Sequence, residues 1–109
     1  MKSGVVYYRR IPAGMLTFGR KGYGFRYLPS YLRDNSAPPV SLTLPKREQT
    51  YRSRFLFPFF FGILTEGVQK DLQCRLMKID ERDYFTRLVK TSKNGAAGAV
   101  HVRGKGDFP

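Results

Sequence analysis

The spacing of hydrophobic residues changes halfway along the chain, and this change constrains the fold more than any other feature. In the first half the pattern has period two, most clearly in Tyr23, Phe25 and Tyr27, which places these aromatics on one face of a strand. In the second half the apolar residues of segment 59–64 recur at the spacing of a core-facing helix. A chain of 109 residues has room for one core. The sequence therefore predicts a single α+β domain over residues 1–109.

The same patterns predict an antiparallel sheet packed with about three helices. Strands are expected near residues 4–11, 14–19, 23–28, 40–44 and 98–103, and helices near residues 55–65, 68–79 and 81–91. Regular apolar stripes run through Val68, Leu72, Leu76 and Ile79 in the second helix and through Tyr84, Phe85, Leu88 and Val89 in the third. These stripes predict that both helices face the core.

Proline, glycine and capping residues predict where these elements begin and end. Pro12-Ala13-Gly14 predicts the turn after the first strand, and Pro29 begins a single helical turn. Asp80 precedes acidic residues and predicts the N-cap of the last helix. Residues 46–54 are expected to form a charged connector, and residues 103–109 a frayed tail.

The charge is strongly basic and unevenly distributed. Twenty Lys and Arg residues against eight Asp and Glu give a net charge of +12, of which +9 lies in residues 1–54. Hydrophobic residues make up 41% of the chain, too many for a disordered basic tail. The chain should therefore fold, and its charge favours an acidic partner.

Residues that carry catalysis or bind metals are few. The single cysteine, Cys74, cannot close a disulfide within the chain, and with His101 as the single histidine there are too few ligands for a structural zinc site. Neither residue lies near a nucleophile or acid–base pattern. We therefore expect no enzyme activity, no cofactor and no metal.

No segment resembles a membrane span or a signal peptide. The strongest apolar run, residues 55–64, has about half of the roughly 20 residues needed to cross a bilayer. The first ten residues lack the apolar stretch of a secretory signal. We expect a cytoplasmic protein with no membrane partner.

The run Lys21-Gly22-Tyr23-Gly24-Phe25 resembles the start of the RNA-recognition-motif signature and a run in cold-shock domains. In those folds the aromatics stack on bases and the lysine meets phosphate. This resemblance raises the alternative of a small nucleic-acid-binding module, whose contacts would be Arg20, Lys21, Tyr23, Phe25 and Arg26. The same run also suits a tight hairpin with one buried face.

Phe57 and Phe61 add aromatics to a helix whose core face is already supplied by Phe59, Phe60 and Ile63. A helix that is apolar all round is either wholly buried or touches a partner. Phe57 and Phe61 are therefore candidate contacts for a partner protein.

An ordered set of motifs resembles the N-terminal subdomain of HipA-type serine/threonine kinase toxins. The set comprises Gly14-x-Leu16, Phe25-x-Tyr27 with Pro29-x-Tyr31-Leu32, the run from Pro39 to Pro45, the run from Pro58 to Gly67, and Gly98-Ala99-Val100. The resemblance covers residues 5–102. It implies the fold of that subdomain, which in such kinases precedes a larger core with the ATP-binding loop and the catalytic and metal-binding residues.

The absence of that core in this chain makes it similar to the stand-alone small subunit, of the HipS type, in split HipA-like toxin–antitoxin systems. The resemblance implies an antitoxin role, a separate kinase chain as partner and a helix-turn-helix DNA-binding protein in the same complex, with DNA contact left open. It also implies that Thr65, Glu66 and Gly67, at the exit of the first long helix, contribute to the kinase-binding surface.

Overall fold

The computed structural model describes residues 1–64, 67–92 and 99–105 and contains a five-stranded antiparallel sheet with four helices. The strands are β1 (Lys2–Tyr8), β2 (Ile11–Gly19), β3 (Gly22–Tyr27), β4 (Tyr51–Ser53) and β5 (Val100–Lys105). The helices are α1 (Pro29–Arg33), α2 (Pro58–Ile63), α3 (Gly67–Met77) and α4 (Tyr84–Thr91). The strand order is β4-β3-β2-β1-β5. The predicted α+β class with an antiparallel sheet is confirmed.

One predicted strand is wrong, and another segment takes its place in the sheet. Residues 40–44 form only an isolated bridge between Ser41 and Leu44. The hydroxyl of Tyr27 accepts a hydrogen bond from the Val40 amide at 3.0 Å and donates one to the Leu44 carbonyl, and these bonds hold the segment as a loop. Strand β4, inside the predicted charged connector, pairs with β3 instead.

The turn between β1 and β2 falls at Arg9 and Arg10, not at Pro12-Ala13-Gly14 as the sequence predicts. Both arginines have positive φ, 48° and 71°, as both central residues of a two-residue type I′ hairpin require. Pro12 and Gly14 lie within β2. Val6 of β1 pairs with Gly14 but the next residue, Tyr7, pairs with Pro12, so the register of the two strands shifts at this point. A bulge of this kind accommodates a proline inside a strand.

The ends of three further elements differ from the sequence predictions. Helix α2 begins at Pro58 and ends at Ile63, and α4 begins only at Tyr84. Asp83 is the N-cap of α4, because its side chain accepts a hydrogen bond from the Thr86 amide at 3.2 Å. Strand β5 includes residues 103–105, where a frayed tail was expected, and residues 106–109 lie outside the described residues.

The core lies between the helices and one face of the sheet. Val6, Leu16, Phe25 and Val102, which are cross-strand neighbours or diagonal to one another on this face, are 0% exposed. Phe60 of α2 and Phe85 and Leu88 of α4 are also 0% exposed and complete the core. The hydroxyl of Ser92 accepts a hydrogen bond from the Val102 amide at 2.9 Å, which ties the end of α4 to β5.

Two glycines of the first hairpins are required by their surroundings. Gly22 has a φ of 112°, and a Cβ there would lie 2.4 Å from the carbonyl oxygen of Ser53. A Cβ on Gly14 would lie 2.6 Å from the ring of Phe25. The glycines therefore allow β4 and the core aromatics to approach the strand backbones closely.

Candidate partner interface

The two candidate contact residues of helix α2 lie in different environments, Phe57 in the core and Phe61 on the surface. Phe57, the N-cap residue, is 7% exposed and packs edge-on against Phe60 with ring centroids 6.3 Å apart. The prediction that Phe57 lies on the exposed side of the helix is wrong, because a residue just before the first turn points back toward the core. Phe61 is 42% exposed, and its ring makes an edge-to-face contact with the Tyr84 ring, with centroids 5.3 Å apart.

Gly62, the residue after Phe61, is exposed. Apart from its chain neighbours and the backbone of its own helix, a Cβ placed there would find no atom of the described residues within 4 Å. Gly67 is the first residue of α3. Thr65 and Glu66, which the sequence assigns to the kinase-binding surface, lie outside the described residues, and their role stays a prediction.

Helix α3 turns its predicted core stripe toward solvent. Leu72 is 53% exposed and Leu76 is 73% exposed, so the prediction that they face the core is wrong. Cys74, two positions from each and therefore on the opposite side of the helix, is 9% exposed. Backbone bonding at the end of the helix, where the Ile79 amide donates to the Cys74 carbonyl at 2.8 Å, turns Ile79 back into the protein.

Four large apolar side chains on successive helices are thus left in solvent. We refer to Phe61, Leu72, Leu76 and Met77 as the α2–α3 apolar surface; Met77 is 41% exposed. The exposed charged residues Asp71 and Arg75 lie on the same helix. Apolar side chains bordered by charged ones are typical of the core and rim of a protein–protein interface.

The basic hairpin between β2 and β3 is not a base-stacking site. Arg20, Lys21 and Arg26 are exposed, but Phe25 is 0% exposed and Tyr23 is 8% exposed. Burial raises the pKa of Tyr23, whose ring stacks on Phe18 with centroids 4.4 Å apart. The prediction that Tyr23 and Phe25 contact nucleic acid is wrong, because both rings belong to the core face of the sheet.

The opposite face of the sheet, which we call the outer sheet face, carries Tyr7 and Arg103, which were not predicted as functional residues, beside His101. Tyr7 of β1 and His101 of β5 are paired across the strands, and their rings stack with centroids 4.9 Å apart and planes 3° apart. The guanidinium of Arg103 lies 5.9 Å from the Tyr7 ring. Partial burial, and then the charge of Arg103, lowers the pKa of His101. The residues that alternate with the buried ones in β1 and β5 are the signal that would have revealed this face.

The described residues contain no metal-binding cluster of three or more His, Cys, Asp or Glu side chains. Cys74 is a buried free thiol. Within the same ranges, no helix is long and apolar enough to span a bilayer.

The family model of the HipA N-terminal domain matches residues 5–103. The chain belongs to the HipA N-terminal domain family. A solved structure described as the N-terminal domain of HipA toxin superposes on this HipA N-terminal domain with a TM-score of 0.70 at 28% identity, covering 98% of this chain and 95% of that one. The resemblance recognised in the sequence is confirmed, and it links this HipA N-terminal domain to toxin–antitoxin kinase systems.

Two curated relatives differ greatly in length. An uncharacterized protein of Haemophilus influenzae is 31% identical over 103 residues, which are 94% of this HipA N-terminal domain and 92% of that protein. The putative kinase Y4mE of Sinorhizobium fredii is 31% identical over 90 residues, which are 82% of this chain but only 21% of the kinase. The domain therefore matches nearly all of one relative and about a fifth of the other.

Proposed function

We propose that this chain is a non-catalytic subunit of a toxin–antitoxin complex, which docks on a separate HipA-type kinase chain and modulates its activity. The observation that carries the proposal is the share of each relative's length that this domain covers. The same domain accounts for 92% of the Haemophilus influenzae relative and for 21% of a putative kinase. A domain found both in a short protein and within a kinase-length chain is suited to bind a kinase core as a separate subunit.

The α2–α3 apolar surface is the proposed docking site. Phe61 carries an aromatic ring of which nearly half is in solvent, and α3 adds Leu72 and Leu76 with larger exposed fractions. A small set of aromatic and aliphatic side chains at the centre of an interface supplies most of the binding energy. Thr65 and Glu66 lie between these helices in the sequence, which keeps the predicted exit loop within the same proposal.

Co-expression with a HipA-type kinase that lacks this domain tests the proposal. Size-exclusion chromatography of the co-expressed pair should show co-elution, and titration of the purified chains should give a dissociation constant. Phe61→Ala should weaken binding about thirtyfold or more, the equivalent of roughly 2 kcal/mol. A growth assay with and without this chain then shows whether it restrains or activates the kinase.

Leu42→Ala is the matched control, because Leu42 is also a large apolar side chain, 93% exposed, in the loop between α1 and β4. This variant should bind the kinase as the wild type does. An equal loss from both substitutions would refute the α2–α3 apolar surface as the docking site. Separate elution of the wild-type chains would refute the proposed partnership.

The proposal includes the absence of catalysis by the isolated chain. Cys74 is buried and the His101 ring is stacked on Tyr7, an arrangement that supports structural roles for both residues. Purified protein should show no ATP turnover above a buffer blank. Turnover that is abolished by a point substitution in this chain would contradict the proposal. The helix-turn-helix third component and the cytoplasmic location stay predictions.

A further inference from the structure

The outer sheet face is lined by residues from all five strands, and none of its described side chains is buried. These are the partly exposed Ser3, Val5, Tyr7, Met15, Thr17 and His101 and the exposed Arg26, Arg52 and Arg103. The opposite side of the same strands supplies core residues that are 0% exposed. The two faces of the sheet therefore have distinct roles, and the outer one is open to a ligand.

Arginines stand at both edges of this face, with neutral side chains between them. In one cross-strand row, Arg103 pairs with Val5, Val5 with Met15, and Met15 with Arg26. In the next row, Thr17 pairs with Gly24 and Gly24 with Arg52. Four strand spacings separate the outermost strands, so the face is on the order of 19 Å wide.

The charge of this region has one sign. Residues 1–33 contain seven Lys or Arg and no Asp or Glu, and none of the five strands contains an acidic residue. Among the described residues, Arg26, Arg52 and Arg103 form no ion pair. These cations are therefore available to an anionic ligand.

Planar rings accompany the cations. The rings of Tyr7 and His101 stack in parallel planes, and each ring keeps one face turned away from the other, with the Arg103 guanidinium beside the Tyr7 ring. At one end of the face, Thr17, Gly24 and Arg52 share a groove of about 490 Å³ with Arg20 and Lys21 of the hairpin tip. The exposed hairpin cations thus extend the outer sheet face, although the buried hairpin aromatics do not.

From this arrangement we infer that the outer sheet face binds single-stranded nucleic acid, with phosphates on the edge arginines and bases against Tyr7 and His101. Cations that follow a backbone, combined with rings on which bases stack, are the features that bind single strands without sequence preference. An acidic protein segment would use the cations but gain nothing from the flat rings. A duplex would bring its phosphates but keep its base faces covered.

Fluorescence anisotropy of the isolated, full chain with a labelled 20-nucleotide oligothymidine tests the inference. Binding should weaken linearly on a log–log plot against salt concentration, since phosphate contacts release counterions. Replacing two of the three edge arginines, Arg26→Gln with Arg103→Gln, should lower the slope of that plot by about 0.7 for each phosphate that is no longer neutralised. Tyr7→Leu should weaken binding at least about fivefold, with an unchanged circular dichroism spectrum.

Two controls match these changes on other parts of the protein. Arg75→Gln with Arg82→Gln removes the same charge from exposed positions on α3 and before α4. Phe61→Leu removes an aromatic ring that is 42% exposed and lies on α2, outside the sheet. Both control proteins should bind the oligonucleotide as the wild type does.

The inference is overturned if the control arginine pair lowers affinity and slope as much as the edge pair. It is also overturned if a 20-base-pair duplex or a polyglutamate of similar length binds as tightly as the single strand, or if no binding occurs at low salt. An oligouridine of the same length distinguishes RNA from DNA as the preferred strand. Phe61→Ala should leave oligonucleotide binding unchanged, so the inference and the proposed kinase partnership fail independently.

Discussion

The carboxylate of Asp83 connects the first strand to the last helix. Its Oδ2 lies 3.4 Å from Nζ of Lys2, and the same side chain accepts hydrogen bonds from the Thr86 amide at 3.2 Å and the Thr86 hydroxyl at 2.7 Å. Asp83 therefore caps α4 and positions it against β1. Because α4 supplies Phe85 and Leu88 to the core, this cap affects the whole domain.

We predict that Asp83→Ala lowers the free energy of unfolding by about 1–2 kcal/mol, the usual effect of losing an N-cap. Urea denaturation followed by circular dichroism measures the change. Asp80→Ala is the control, since Asp80 accepts an exposed bond from the Arg82 amide at 2.9 Å in the turn before the helix. Equal losses from the two variants would show that Asp83 is not the operative cap.

The same carboxylate predicts a dependence of stability on pH. Partial burial would raise the pKa of Asp83, but the two Thr86 bonds and the Lys2 ammonium outweigh it and hold the pKa below the ordinary value of 3.8. The stabilisation is present above pH 3.8 and is lost as the pH falls through the lower folded-state pKa. Asp83→Asn should keep the cap and reduce the fall in urea midpoint between pH 6 and pH 3. If the urea midpoint of this variant falls as far as that of the wild type, the loss of stability in acid comes from other groups.

Adjacent phenylalanines of α2 should respond differently to truncation. Phe60, 0% exposed, packs against Phe25 and Phe59, and Phe60→Ala should cost about 3–5 kcal/mol of stability. Phe61→Ala removes mainly the edge contact with Tyr84, worth about 0.5–1.5 kcal/mol. Guanidinium denaturation of both variants compares them. If Phe61→Ala is as damaging as Phe60→Ala, Phe61 belongs to the core and is not a docking residue.

Tyr27→Phe should destabilise the domain although it keeps the ring. The hydroxyl is the partner of the Val40 amide and the Leu44 carbonyl, and leaving buried polar groups unpaired costs about 1–3 kcal/mol each. Tyr51→Phe is the control, because the Tyr51 hydroxyl donates to the Pro45 carbonyl at an exposed position. Urea denaturation of the two variants, run side by side, decides whether the buried hydroxyl holds the loop.

Ionisation of Tyr27 provides a separate readout of the same hydroxyl. Burial, partly offset by the Val40 hydrogen bond, raises its pKa to about 12. The unfolded chain ionises this tyrosine near pH 10, so its contribution to stability is lost as the pH rises from 10 toward 12. Ultraviolet absorbance titration at pH 11 should show fewer phenolates than the unfolded chain shows, and Tyr27→Phe should reduce this difference by about one, since burial also raises the pKa values of Tyr23 and Tyr31. Full ionisation at that pH in the folded protein would contradict this environment.

His101 should titrate below the ordinary pKa of 6.5, because partial burial and the nearby Arg103 both disfavour its charged form. Proton NMR of the imidazole resonances across pH 4–8 measures this pKa directly. Arg103→Gln should raise it toward the ordinary value, while Arg75→Gln on α3 should leave it unchanged. If the pKa of His101 does not respond to Arg103→Gln, the Arg103 guanidinium does not act on the imidazole.

Much of the sheet was predictable because its pattern is local. The alternation of Tyr23, Phe25 and Tyr27 identified β3 and its buried face correctly. The turn at Arg9 and Arg10 was missed because neither residue is a usual left-handed residue, and the nearby Pro12 and Gly14 gave a stronger turn signal. Residues 40–44 alternate as a strand does. The Tyr27 hydroxyl, however, is hydrogen-bonded to the Val40 amide and the Leu44 carbonyl, which are backbone groups that a strand would use to pair with its neighbour.

The helical half was less predictable because a hydrophobic stripe indicates a covered face without saying what covers it. Leu72 and Leu76 have the spacing of a core face, yet they lie in solvent. Phe57 and Phe61 differ in burial because Phe57 precedes the helix and Phe61 lies within it. The outer sheet face was missed because apolar alternation identifies only the buried face, and Tyr7 and His101 occupy the intervening positions.

The position of β5 determines when the sheet can be completed during synthesis. Strands β1, β2 and β3 are joined by short hairpins and can pair as soon as they leave the ribosome, but Val6 also pairs with Val102 of β5, which is synthesised much later. Until then β1 is an open edge, with unpaired amides and carbonyls that can template pairing with another chain. A chain whose translation stops before Val100 would therefore present that edge to neighbouring nascent chains and to the proteases that remove incomplete products.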